Sequence, residues 1–168
     1  YADAKAILFK MCKKGVVNID DAYADRILKD ATADIITASV KKDAELSAED
    51  IVLKETGVDF TIDGKNFSLA IPGEFSVYNA LCAIGIAKAV LIDDDKISET
   101  LKTATGVKGR AEVIPNTGDF TVIIDYAHTP DGLKNILKTF KSCAKERILL
   151  LFGCGGDRDK TKRSQMGE

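Results

Sequence analysis

The 168-residue chain has a single histidine, His128, and its four cysteines (Cys12, Cys82, Cys143, Cys154) form no C-x-x-C pair. Zinc sites are built from clustered Cys and His side chains, so neither the composition nor the spacing supports one. Widely scattered thiols read as reduced cysteines of a cytosolic protein. An excess of positive charge is missing too: 24 Lys and Arg stand against 26 Asp and Glu, for a net charge of −2. Such a balance does not draw a polyanion, and no nucleic-acid partner is expected. No apolar run approaches the roughly 20 residues that cross a bilayer, and the first residues lack a signal-peptide pattern. The expectation is a cytoplasmic protein with no membrane insertion.

What the chain does have is a hydrophobic content of 45%, enough for a proper core. Its basic residues gather near the end (Arg158, Lys160, Lys162, Arg163), which suits a small anionic ligand better than a polymer. Both ends fall inside patterned sequence, with no methionine at the start and no terminator after Met166-Gly167-Glu168, so a piece of a longer protein is expected.

Two stretches promise a polar rim. Residues 120–124 are apolar and β-branched, as a buried strand requires, and Asp125 and His128 follow at once. Thr129-Pro130-Asp131 then reads as a helix start, with a hydroxyl cap, a proline at the first helical position and a carboxylate in the first turn. Residues 148–152 read as a second strand, running into Gly153-Cys-Gly-Gly-Asp-Arg-Asp159. One βαβ unit would bring both strand ends to the carboxyl edge of a sheet, where open α/β folds bind ligands. The glycine loop matches neither Gly-x-x-x-x-Gly-Lys-[Ser/Thr] nor Gly-x-Gly-x-x-Gly, because position 158 is Arg. It offers close backbone approach to an anion, plus an arginine fork suited to a carboxylate or phosphate.

Taken in order, residues 1–11 have helical spacing, and Lys5 lies in the middle of the side formed by Tyr1, Leu8 and Cys12. Snorkelling is the commoner fate of such a lysine; a desolvated, nucleophilic amine is the functional alternative. Residues 16–21 read as a strand ending in Asp20-Asp21, where capping of the next helix outweighs a carboxylate pair. Residues 35–40 form a further strand. Three short strands follow at 51–55, 58–62 and 67–71, the last two joined by the hairpin signal Asp63-Gly64, as a small antiparallel meander. A long apolar helix covers 75–89. Inside it Asn79 is either a satisfied core amide or a reader of a planar, hydrogen-bonding ligand. Asp93-Asp94-Asp95 reads as a solvated helix end followed by a cap, 97–103 as a helix and 106–109 as a linker, which places a domain boundary near 108.

These stretches together resemble the Mur ligases, ATP-dependent enzymes that add amino acids to the UDP-muramoyl peptide of peptidoglycan. The motifs are Asp125-Tyr-Ala-His-Thr-Pro-Asp131, Phe152-Gly-Cys-Gly-Gly-Asp-Arg-Asp-Lys160, Pro72-Gly-x-Phe75-x-Val-Tyr-Asn-Ala-Leu81 and Gly109-Arg-x-Glu112. They look most like those of the members that add the third residue. The resemblance implies an α/β fold: the remainder of a central ATPase domain over 1–108 with its antiparallel meander, then the start of a Rossmann-like C-terminal domain over 109–168. It implies ATP and Mg2+ as cofactors, UDP-MurNAc-L-Ala-D-Glu and either L-lysine or meso-diaminopimelate as substrates, and a monomer. By the same resemblance Lys5 matches a carbamylated, Mg2+-binding lysine, Asn79 an adenine contact, and Arg110 a catalytic arginine at the phosphates. Asp125 matches a ribose contact, His128 a residue near the nucleotide, and Arg158 the arginine that holds the incoming amino acid's carboxylate.

Position 76 is Ser where the family usually has a second Asn, and Ser164 stands in place of a proline. The family's phosphate loop, UDP-binding domain and Asp-Asn-Pro-Arg stretch are not among these 168 residues. Without a cradle for the triphosphate, the piece alone is expected to be inactive. The alternative reading is a non-catalytic nucleotide- or partner-binding module derived from such a ligase.

Overall fold

The computed structural model describes residues 2–155 and 160–167. Helix α1 (Ala2–Met11) leads into strand β1 (Lys14–Asn18), and a short α2 (Ala24–Leu28) crosses to β2 (Asp34–Ser39). The two strands pair in parallel, Gly15 with Ile35 through Asn18 with Ala38, and β3 (Leu46–Ser47) extends the sheet in the order β1-β2-β3. The apolar alternation of β1 and β2 buries Val17 and Ala38, as a sheet covered by a helix requires.

Three further strands, β4 (Glu49–Lys54), β5 (Gly57–Ile62) and β6 (Lys65–Leu69), form the expected antiparallel meander. Its second turn is Asp63-Gly64 with φ of 50° and 73° and Ile62 paired to Lys65, so the loop has two residues and Lys65-Asn66 do not lengthen it. Positive φ at both positions matches the twist of the flanking strands, which is why Asp-Gly serves there. Phe60 and Phe67 stack across β5 and β6 with ring centroids 5.6 Å apart.

Helix α3 (Glu74–Ala89) closes the core from above. Val77, Leu81 and Ile84 are at most 1% exposed, and they share one apolar cluster with Ala38, Leu46, Val58, Phe60 and Phe67. Gly85 permits the approach to β1, since a Cβ there would lie 2.8 Å from the Val16 methyls. Helix α4 (Asp94–Thr103) begins at Asp93, whose carboxylate accepts the Asp95 N–H at 2.9 Å, as the acidic run foretells.

Beyond residue 108, β7 (Glu112–Ile114) and β8 (Val122–Ile124) form an antiparallel pair, α5 (Pro130–Cys143) follows, and α6 (Lys162–Gly167) ends the described chain. Thr129 caps α5 by accepting the Gly132 N–H at 3.1 Å. Two expectations are corrected here. Residues 120–124 are not a buried strand: β8 has three residues, and Phe120 and Ile124 are exposed. Residues 148–152 form no strand, so the βαβ unit expected to join them to residues 120–124 does not form; Leu151 is 99% exposed. Apolar composition makes a strand only where a neighbouring strand supplies the ladder, and β8 is paired to β7 alone.

Candidate functional site

A cleft of about 940 Å³ opens where α3 and the meander face the 106–110 linker, the end of β8 and α5. Asn79, Arg110 and Asp125, separated by up to 46 positions in sequence, all line it. Periodicity accounts for Asn79: it lies on the exposed side of α3, while Val77, Ala80 and Leu81 turn to the core. Of the two readings of this amide, the satisfied core amide is thereby excluded. Ser76 is buried instead, its hydroxyl donating to the Pro72 carbonyl at 2.8 Å. The departure at position 76 therefore lies within the helix packing, away from the cleft lining.

Asp125 stands at the end of β8, half-buried, with both oxygens engaged. Oδ1 accepts the Ala127 N–H at 2.7 Å and Oδ2 accepts the Ala111 N–H at 2.8 Å. One carboxylate thus ties the start of β7 to the turn after β8. Ala111 has φ of 46° and is 2% exposed, a left-handed conformation that this tether and the Glu112 carboxylate, which accepts the Gly109 N–H at 2.7 Å, hold in place. Next to the tether, the Arg110 guanidinium lies 4.8 Å from the centre of the Tyr126 ring, a cation–π contact. Tyr126 in turn faces the His128 ring at 4.9 Å. His128 Nδ1 lies 3.1 Å from the Tyr126 carbonyl oxygen; a carbonyl only accepts, so Nδ1 carries the proton in this contact. Lys162 Nζ donates to the His128 carbonyl at 3.2 Å and brings the start of α6 beside the group.

The remaining expectations sort as follows. His128 sits at this edge without lining the cleft, and Lys5 is exposed on α1 and does not line it either. The apolar side expected around Lys5 is itself open: α1 buries no residue, and Leu8 is more than half exposed. Arg158 lies outside the described residues. Asp20 and Asp21 do not cap α2 as expected; Tyr23 occupies that position without a side-chain bond, because the chain turns at Asp21, whose carboxylate accepts the Tyr23 N–H at 2.8 Å. Asp20 instead accepts Ser39 Oγ–H at 2.8 Å, Val40 N–H at 2.9 Å and the Tyr78 hydroxyl at 3.1 Å. Burial pushes the Asp20 carboxyl up, but those three donors and nearby Lys41 outweigh it and hold it below the ordinary range. Burial, then the bond to Asp20, pushes the Tyr78 hydroxyl up. Sequence reasoning missed Tyr78, Glu74, Lys41 and Lys138 as cleft residues. Only Tyr78 gave a signal, as a polar aromatic next to Asn79 in an apolar helix.

Chemically, the lining fits a nucleotide such as ATP. An exposed amide offers a donor and an acceptor to the edge of a base, a guanidinium suits phosphate, and the lone pairs left on Asp125 can accept a ribose hydroxyl. A magnesium site is a different matter. Among the described residues no three His, Cys, Asp or Glu side chains gather to hold a metal; Mg2+ beside a nucleotide is commonly held by one or two carboxylates, waters and the phosphates themselves.

Comparison with known proteins gives the class. A family model described as Mur ligase middle domain matches residues 1–87, and one described as Mur ligase, glutamate ligase domain matches 109–168. The chain belongs to the Mur ligase family. It is 42% identical, over its whole length, to UDP-N-acetylmuramoyl-L-alanyl-D-glutamate--2,6-diaminopimelate ligase 1 of Clostridium acetobutylicum, covering 36% of that protein. It is likewise 42% identical to the 2,6-diaminopimelate ligase of that type from Listeria monocytogenes, covering 37% of it. A solved structure of such a diaminopimelate ligase superposes with a TM-score of 0.70 at 33% identity, over 99% of this chain and 37% of that one. Folylpolyglutamate synthetase from Lactobacillus casei shares the fold, with a TM-score of 0.62 at 21% identity, over 88% of this chain and 39% of that one. The chain spans about 36% of the length of the curated relatives it matches. No helix of the described residues is long and apolar enough to cross a membrane.

Proposed function

We propose that the whole protein is an ATP-dependent ligase that joins meso-diaminopimelate to UDP-MurNAc-L-Ala-D-Glu, the third-residue step of peptidoglycan assembly. Residues 1–108 are read as the latter part of its central ATP-binding domain, and 109–168 as the first part of its C-terminal domain. The observation that supports this best is the gathering of Asn79, Arg110 and Asp125 in one cleft at the junction. Diaminopimelate is preferred to L-lysine because the relatives are named for it.

ATP supplies the phosphoryl group that turns the dipeptide's carboxylate into an acyl phosphate; the amine of the incoming amino acid then bonds to its acyl carbon, and phosphate leaves. In this reading Asn79 pairs with the edge of the adenine ring, and Arg110 faces the phosphates and stabilises their charge as it develops. Asp125 accepts from the ribose while holding the Arg110 segment in register. His128 borders the nucleotide, and Arg158 holds the carboxylate of the incoming diamino acid. Lys5, once carbamylated, would be an anion able to bind Mg2+. The protein acts as a cytoplasmic monomer, where both substrates are soluble.

Full-length protein should release ADP and phosphate only when ATP, UDP-MurNAc-L-Ala-D-Glu and a diamino acid are all present, with diaminopimelate preferred. A coupled assay for ADP with mass detection of the tripeptide product reads this directly. Lysine working better than diaminopimelate would overturn the substrate assignment. Nucleotide binding with no ligation to either amino acid would favour the binding-module reading.

A further inference from the structure

Tyr126 has no task in the reaction just described, yet it is what the Arg110 side chain rests on. The backbone around Arg110 is fixed on both sides. The Arg110 N–H donates to the Val107 carbonyl at 2.9 Å, the Gly109 N–H to the Glu112 carboxylate at 2.7 Å, and the Ala111 N–H to Asp125 Oδ2 at 2.8 Å. None of these bonds reaches the guanidinium. Among the described residues no hydrogen bond or ion pair engages it, and it lies over the Tyr126 ring with Cζ 4.8 Å from the centroid. Tyr126 is itself held: Asp125 Oδ1 accepts the N–H of the next residue, Ala127, at 2.7 Å, and the His128 ring packs on the Tyr126 ring at 4.9 Å and 56°. The Tyr126 hydroxyl has no partner among the described residues, and the side chain is 60% exposed. Neither core packing nor a hydroxyl bond therefore accounts for this ring.

An arginine side chain is long, and ordering it before a ligand arrives removes part of the cost of binding. A guanidinium over an aromatic face keeps its N–H donors in its own plane, where a phosphate can still take them; a carboxylate partner would occupy them. Arg110 lines the cleft while it lies over the ring. We propose that Tyr126 is a positioning residue for the nucleotide's phosphates: its ring face holds the Arg110 guanidinium at the cleft with its donors free. The inference rests on the nucleotide reading of the cleft.

The test uses full-length protein and calorimetric titration with ATP, with melting temperatures recorded alongside. The variants are Tyr126→Leu, Tyr126→Phe, Arg110→Ala and the double variant that combines Arg110→Ala with Tyr126→Leu. The Kd for ATP should rise about 3- to 10-fold in Tyr126→Leu, the scale of a cation–π contact. Tyr126→Phe keeps the face and should recover that loss. In the Arg110→Ala background the leucine substitution should change the Kd by less than about twofold, because a residue that acts through Arg110 has nothing left to act on. Melting temperatures should stay near that of wild type, as suits an exposed ring. ATP affinity of Tyr126→Leu within about twofold of wild type would overturn the inference. So would a loss repeated in full in the Arg110→Ala background, since the ring would then act on the nucleotide or the fold directly. Tyr126→Phe binding as weakly as Tyr126→Leu would overturn it as well. If wild type does not bind ATP, the reading of the cleft fails first, and the positioning role with it.

Discussion

Asp125→Ala in the full-length protein should lower ATP-dependent ligation by about 100-fold or more, the scale expected when reacting groups are misplaced by about 1 Å. The carboxylate holds two backbone donors, Ala111 N–H at 2.8 Å and Ala127 N–H at 2.7 Å. Its removal leaves both amides without that acceptor, at about 1–3 kcal/mol for each one that stays buried. The strained Ala111 then has less to hold it, and its neighbour Arg110 loses its place over Tyr126. Asp125→Asn should fall between wild type and alanine, because an amide keeps one acceptor oxygen and turns an NH2 toward the other donor. The check is kcat/KM for ATP in all three proteins. Activity of the alanine variant within threefold of wild type would mean that the tether is not needed.

Phe60→Ala should cost about 3–5 kcal/mol of stability, the usual range for removing a buried aromatic ring. Phe60 is 2% exposed, stacks on Phe67, and belongs to the cluster that joins the meander to α3. The void opens beneath the helix that carries Tyr78 and Asn79, so the loss should appear as an early melt with weakened nucleotide binding. Leu151→Ala is the matched control: at 99% exposed it should shift stability by no more than about 0.5 kcal/mol. Urea unfolding followed by circular dichroism compares the two. A loss below about 1 kcal/mol for Phe60→Ala would contradict a single core shared by sheet and helix.

Where local chemistry decides, the sequence was enough. Thr129-Pro130 starts α5, Asp93 caps α4, and Asp63-Gly64 makes a two-residue hairpin, each through bonds or φ values set within a few residues. The failures are non-local. Residues 148–152 have strand composition and form no strand, because pairing depends on a neighbour that composition does not reveal. β3, only Leu46 and Ser47, is a strand solely by virtue of pairing with β2.

The site divides in the same way. Asn79, Arg110 and Asp125 could be picked out by residue type and motif, but their meeting in one cleft is a property of how α3 faces the 106–110 segment and the end of β8. The pairing of Asp20 with Tyr78 spans 58 positions, and no pattern in either segment announces it. Asp20-Asp21 looked like a helix cap because two acids before a helix usually are one. The register of β1 against β2 instead aims Asp20 at Ser39 and Val40.

The central claim is that the cleft at the junction receives the adenine of ATP. Photolabelling of the full-length protein with 8-azido-ATP, followed by trypsin and mass spectrometry, tests it most directly. Cleavage after Lys65 and Lys88 releases one peptide, 66–88, that carries both Tyr78 and Asn79. The label should fall on that peptide and be suppressed by excess ATP. Label confined to other peptides, still sensitive to ATP, would put the base elsewhere and contradict the account.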